Sequence, residues 1–213
     1  MKQSRNRRGA YALIVLVLVI GLLFFVRSRQ EGVTQAEYAV RDLTVNPQPV
    51  NGSAETDQFE SIIELVPRDD ARAALALANR WKSRHPRVLT YVTADAVHFR
   101  FPDDRTVDVP LPADRMVLAA APYLTATHPC VVHTMSSCQG ELRNTPVTVT
   151  VIDSDGNVVL AEQKRTMDNG FVEFWVPRDG RYTLRIEALG KSVETTVESF
   201  RDSATCLTNL QLL

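Results

Sequence analysis

The sequence has little cysteine: three residues in 213, at Cys130, Cys138 and Cys206. No two stand in a Cys-x-x-Cys pair, which removes the dithiol motif of thioredoxin-like enzymes and the paired ligands of zinc ribbons. A His-Glu-x-x-His helix is missing too, and with it the zinc-protease pattern. Nor is charge of one sign in excess. The 24 basic and 25 acidic residues leave a net charge of −1 with both signs interspersed, so there is no basic stripe to hold a nucleic acid. Asp153, Ser154, Asp155 and Gly156 lack calcium-loop spacing, the glycine coming too early, and read as a hairpin turn.

What the chain does have is concentrated. Residues 128–138 read HPCVVHTMSSC and hold two of the three cysteines and two of the four histidines. Thiolate, imidazole and thioether suit monovalent copper, with zinc competing for the cysteine and histidine part of the set. His128, Cys130, His133, Met135 and Cys138 are therefore candidate ligands, and Cys206 is the only other thiolate source. Pro129 within the stretch and Gly140 after it make an irregular loop whose side chains converge only if the fold gathers them. On spacing alone, a metal site and a structural disulfide with surface histidines stand level. Met135 is open between ligand and solvent-facing spacer.

The N-terminus indicates the compartment. Lys2, Arg5, Arg7 and Arg8 precede the apolar run Tyr11–Val26, which Arg27 and Arg29 follow. At ~1.5 Å per residue the run spans about 24 Å against a hydrocarbon core of about 30 Å, the length of a short anchor or a long signal-peptide core. No small-x-small cleavage site directly follows it and no cysteine at its end accepts a lipid, which favours the anchor. The heavier positive flank places residues 1–9 inside and the remainder outside the cytoplasm. In that oxidising setting three cysteines leave one thiol unpaired whenever two are joined. Two thiolates oxidised to a disulfide release two electrons, enough to take two cupric ions to cuprous.

The rest of the chain reads as α+β. Residues 1–30 are the anchor or signal-anchor, 31–55 a linker rich in Pro, Asn, Gly, Ser and Gln, 56–125 a small N-terminal α/β domain and 126–213 a C-terminal antiparallel β-sandwich carrying the metal ligands. Helices are expected over 57–66 and 69–84, with Leu75, Ala78 and Trp81 on one core-facing side, and a further short helix over 114–122. Two or three short strands fill residues 87–112, broken at 93–95 and 102–104, with His98 in one and His85 at a helix end as structural or merely exposed histidines. Val147, Val149 and Val151, then Tyr182, Leu184 and Ile186, alternate with polar residues as strands do. Five such strands over 146–200 make the sandwich, and Cys206 falls on the segment leaving the last of them.

The stretch YLTATHPCVVHTMSSCQGEL, with a further cysteine near the C-terminus, resembles the CueP family of periplasmic copper-binding proteins over roughly residues 55–213. The resemblance implies a site of Cys130, Cys138 and Cys206 supported by His128 and His133. It also implies copper binding outside the cytoplasmic membrane, copper tolerance, reduction of Cu(II) to Cu(I) through the cysteines and, in some bacteria, copper supply to a secreted superoxide dismutase. A homodimer formed through the N-terminal domain, in the manner of periplasmic disulfide isomerases, is implied as well. The chain departs from the soluble members in its uncleaved segment, 11–26, which tethers it to the membrane. The expectation is thus a copper-binding protein with thiol-coupled cupric reductase chemistry and a copper-accepting secreted partner. A thiol-disulfide oxidoreductase and a zinc-binding or disulfide-bonded surface module are the alternatives.

Overall fold

The computed structural model describes residues 54–213, so the expected anchor and nearly all of the linker lie outside the described residues. Two helices open the described chain, α1 (Ala54–Ile63) and α2 (Ala71–Arg84). Asp70 caps α2, its carboxylate accepting from the backbone N–H groups of Arg72 and Ala73 at 2.9 and 3.0 Å, which satisfies donors that the first turn leaves open. The helix ends at His85, directly before Pro86. Its buried stripe of Ala71, Ala74, Leu75, Ala78 and Trp81 follows the helical period. Trp81 meets Phe99 and Phe101 edge-on, as a core residue.

That stripe lies on a four-stranded antiparallel sheet in the order β3 (Thr106–Pro110), β2 (Ala96–Arg100), β1 (Leu89–Val92), β5 (His133–Thr134). The three strands expected from residues 87–112 are present, with their breaks where Thr93–Asp95 and Pro102–Asp104 turn the chain. His98 stacks on Tyr91 and meets Thr93 and Asp108 through its two ring nitrogens, while His85 packs edge-on against Trp81. Both histidines serve the fold and stand apart from the cysteines.

Two further sheets face one another. One has the order β10 (Lys191–Glu198), β9 (Arg181–Ala188), β6 (Pro146–Ile152), β7 (Val158–Arg165); the other has the order β11 (Cys206–Gln211), β4 (Arg115–Tyr123), β8 (Val172–Pro177). Val147, Val149 and Val151 pack with Leu184, Ile186, Met116, Leu118, Phe174 and Val176 in the core between them. Burying each of these larger side chains contributes roughly 2 kcal/mol of transfer free energy, so this interface is one of two large cohesive layers, beside the helix-side core.

Two expectations are corrected here. Residues 115–123 form a strand where a short helix over 114–122 was expected. Seven consecutive residues of β4 are buried, a pattern that only a central strand covered on both faces requires, and that covering overrides the helical preference of its alanines. Cys206 begins a sixth strand after residue 146, β11, which runs parallel to β4 and pairs Cys206 with Ala119. The sandwich therefore contains a parallel pair and borrows β4 from the N-terminal half, and β8 pairs with β4 rather than with its sequence neighbours. Since β5 also pairs with β1, hydrogen-bonded strands cross the expected boundary between residues 125 and 126. The α+β class holds, with strand predominating.

Candidate metal centre

β4 divides its side chains between neighbours. Met116, Leu118 and Ala120 enter the sandwich core, Val117 the helix-side core, and Ala119 and Ala121 a small third cluster with Cys138, Phe171 and Cys206. The loop that carries the ligands is fastened at each end of this cluster. On the entering side, Glu141 accepts from the backbone of Leu124, Thr125 and Ala126 and from the Thr125 hydroxyl, and these donors, the hydroxyl foremost, bring its carboxyl down to about 2. On the leaving side, Gly140 lies against Gly170. A Cβ on Gly170, whose φ is +79°, would fall 2.4 Å from the Gly140 carbonyl oxygen, so no side chain fits there.

Between those ends, His133 and Thr134 add a short strand to β1, and Met135 N–H donates to Thr90 O at 2.9 Å. A tight turn follows, in which Cys138 N–H donates to Thr134 O at 2.9 Å and carries the thiol back toward Cys130. Thr205 ties three segments together. Its N–H donates to Val131 O, its hydroxyl donates to Val92 O and accepts from His133 N–H, and its carbonyl accepts from Ala119 N–H, at 3.0, 2.7, 3.0 and 2.9 Å. Cys206 comes next in the chain and is thereby placed beside the loop.

The result gathers five of the six expected site residues. His128, Cys130 and Cys138 offer ligand atoms all within 4.8 Å of one another, and so do His133, Cys138 and Cys206. The Cys130 and Cys138 sulfurs are 3.4 Å apart, well beyond the ~2.05 Å of a disulfide, and all three cysteines are free. Met135 is fully buried, but in the helix-side core; it is neither a solvent-facing spacer nor part of the small cluster that holds Cys138 and Cys206.

Sequence reading missed Glu173, whose side chain is 10 % exposed on β8. Its carboxylate accepts from Asn79 Nδ2 at 3.0 and 2.9 Å and meets His133 Nε2 at 3.2 Å. The His133 ring is fully buried, and its Nδ1 has no hydrogen-bond partner. A histidine oriented through one nitrogen by a carboxylate, with the other free among sulfurs, is the arrangement that metal-ligating histidines adopt. The one sequence signal for Glu173 was a charged residue inside the apolar strand VEFWVP, at a position facing away from the sandwich core.

Electrostatics follow from the packing. The Cys130 and Cys206 thiols beside Cys138, with His133 adding its charge, drive Cys138 far below the ordinary thiol range in spite of burial, so it is a thiolate. Holding that thiolate pushes Cys130 up to about 12 and raises Cys206 as well. Burial is the largest single influence on His133 and favours the neutral ring, yet Cys138 and Glu173 outweigh it and hold the imidazolium up to about 9. One thiolate is thus ready for a soft cation, and two further thiols release protons as the cation binds.

Three sulfurs and two imidazoles, three of these side chains buried and two half-buried, converge on strand ends and one loop, a donor set whose chemistry suits a soft metal. The family described as periplasmic copper-binding protein CueP matches residues 75–211. The solved structure titled "Crystal Structure of S.CueP" is similar with a TM-score of 0.62 and 30 % identity, over 76 % of this chain and 100 % of that one. No curated protein gave a significant match. The chain belongs to the CueP family, whose members bind copper in the extracytoplasmic space.

Proposed function

We infer that this protein binds copper outside the cytoplasmic membrane and reduces Cu(II) to Cu(I) with its cysteines, as a device for copper tolerance or copper delivery. The observation that supports this reading most directly is the 3.4 Å contact between Cys130 and Cys138 beside a third cysteine and two histidines. In the reaction each cupric ion takes one electron. Cys130 and Cys138 supply both electrons by joining their sulfurs and releasing the remaining thiol proton, and two cuprous ions result. Cys206, His133 and His128 are outside that disulfide and remain to hold product. Cys138, the thiolate, is the attacking sulfur.

The reading extends to a tether through residues 11–26, a homodimer and a secreted copper acceptor. Zinc suits the same cysteine and histidine donors but cannot accept an electron, so it serves as the control metal. The test is Cu(II) added anaerobically to the fully reduced chain, with cuprous ion and free thiols counted. Two cuprous ions per two thiols lost are expected from the wild type and none from Cys138→Ser. Thiols that remain titratable in the presence of Cu(II) would remove the reductive part of the reading, and unaltered Cu(I) affinity in Cys138→Ser would remove the site.

A further inference from the structure

The ligand atoms fall into two overlapping sets that share Cys138 alone: His128, Cys130 and Cys138 in one, His133, Cys138 and Cys206 in the other. The sets differ in burial. His128 and Cys130 are half-buried, whereas His133, Cys138 and Cys206 are all buried. They differ in rigidity as well. His133 is braced by Glu173, which Asn79 holds in turn, while among the described residues no hydrogen bond fixes the His128 ring. The fully buried Phe171 ring lies against both, with centroids 6.4 Å from His128 and 4.6 Å from His133.

Given the copper-binding reading above, on which this rests, we propose that in the fully reduced chain, with no Cys130–Cys138 disulfide formed, the two sets are successive stations for a single cuprous ion. The outer station, His128–Cys130–Cys138, takes the ion from solution; the inner station, His133–Cys138–Cys206, retains it. Transfer is a ligand exchange with no change of oxidation state. The bonds from copper to Cys130 and His128 break as those to Cys206 and His133 form, the Cys206 proton passes to the released Cys130 sulfur and a His133 ring proton to the released His128 ring, and Cys138 stays bound throughout. A shared thiolate makes such a path cheap, because the ion is never left without a thiolate donor, and every donor of either set lies within 4.8 Å of the Cys138 sulfur about which the exchange turns. Burial and the Glu173 brace then favour the inner station, because an oriented, desolvated imidazole and a buried thiolate replace an unbraced histidine and a half-buried thiolate.

The two stations separate in kinetics and equilibrium. The full-length chain, reduced and anaerobic, is mixed with Cu(I) buffered by a chromophoric chelator, and uptake rate and equilibrium competition are both recorded. His128→Ala is expected to slow uptake about tenfold while leaving affinity within about twofold, and His133→Ala to weaken affinity tenfold or more at an unchanged initial uptake rate. Cys206→Ser, nearly the same size as cysteine, is the second inner-station variant should His133→Ala fold poorly, and it carries the same expectation. Two cuprous ions bound per chain, or equal effects of outer and inner variants on both readings, would overturn the relay while leaving copper binding intact. A wild-type chain that takes up no Cu(I) would instead overturn the functional reading beneath it.

Discussion

The two faces of β4 are built from the same strand to opposite ends. Toward the sandwich it presents Met116, Leu118 and Ala120 to a core of valines, leucines and phenylalanines; toward the cysteines it presents only Ala119 and Ala121. One face gains cohesion from bulk. The other gains room, because a thiol cluster with a loop seated over it needs small neighbours and a wall, which Phe171 supplies. The difference teaches that apolar bulk is placed on the sandwich side of the strand, while the cysteine side keeps room for three thiols that no disulfide joins.

Substitutions on the two faces should therefore separate stability from metal binding. Leu118→Ala opens a cavity in the sandwich core and is expected to cost about 3 kcal/mol in urea unfolding, with Cu(I) affinity of the folded protein unchanged. Loss of copper affinity in that variant would show the faces to be coupled. Ala119→Leu should affect both properties. Its extra atoms enter beside the paired Cys206, so a stability loss of about 2 kcal/mol is expected together with a clear fall in Cu(I) affinity, read by chelator competition. Wild-type affinity there would mean that the sulfur cluster is loosely packed.

The smallest effect is a pH dependence of the apoprotein. His133 is held up to about 9, above the ordinary imidazole value of about 6.5, so its contribution to stability is complete below about 6.5 and is lost as pH rises through about 9. The Cys138 shift has the opposite sign: its contribution is complete above the ordinary thiol range and is lost progressively as pH falls through and below that range. The stability difference between wild type and His133→Gln is accordingly expected to shrink by on the order of 1 kcal/mol between pH 6.5 and 9.5 in urea titrations. A constant difference across that range would show that His133 is neutral in the fold.

Much of the fold was legible because periodicity is local. The stripe of α2, the alternation in β6 and β9, and the turns at Thr93–Asp95 and Asp153–Asn157 each follow from residues a few positions apart. β4 was not legible, since an alanine-rich apolar run reads equally as helix or buried strand until something covers both faces. β11 escaped for a related reason: a parallel partner lies far away in sequence, and LTNLQ alone carries only a weak alternation. At the centre, the soft-ligand chemistry of Cys130, Cys138, His128 and His133 stood in one short stretch, and the family resemblance attached Cys206. Glu173, Asn79 and Thr205 carried no such mark, because their roles depend on which strand each faces across the fold.

The sequence by itself determined which side chains are candidate soft donors, for a side chain's affinity for soft metal is intrinsic to its atoms. Helix, turn and strand identity largely followed from it too, since those are decided within a few residues. Tertiary structure alone decided that Cys206 begins a strand beside Ala119, that Met135 turns to the helix-side core, and that the candidate ligands form two trios sharing Cys138. Those outcomes depend on contacts between segments separated by tens of residues. No local preference specifies them; the burial of both faces of β4 does.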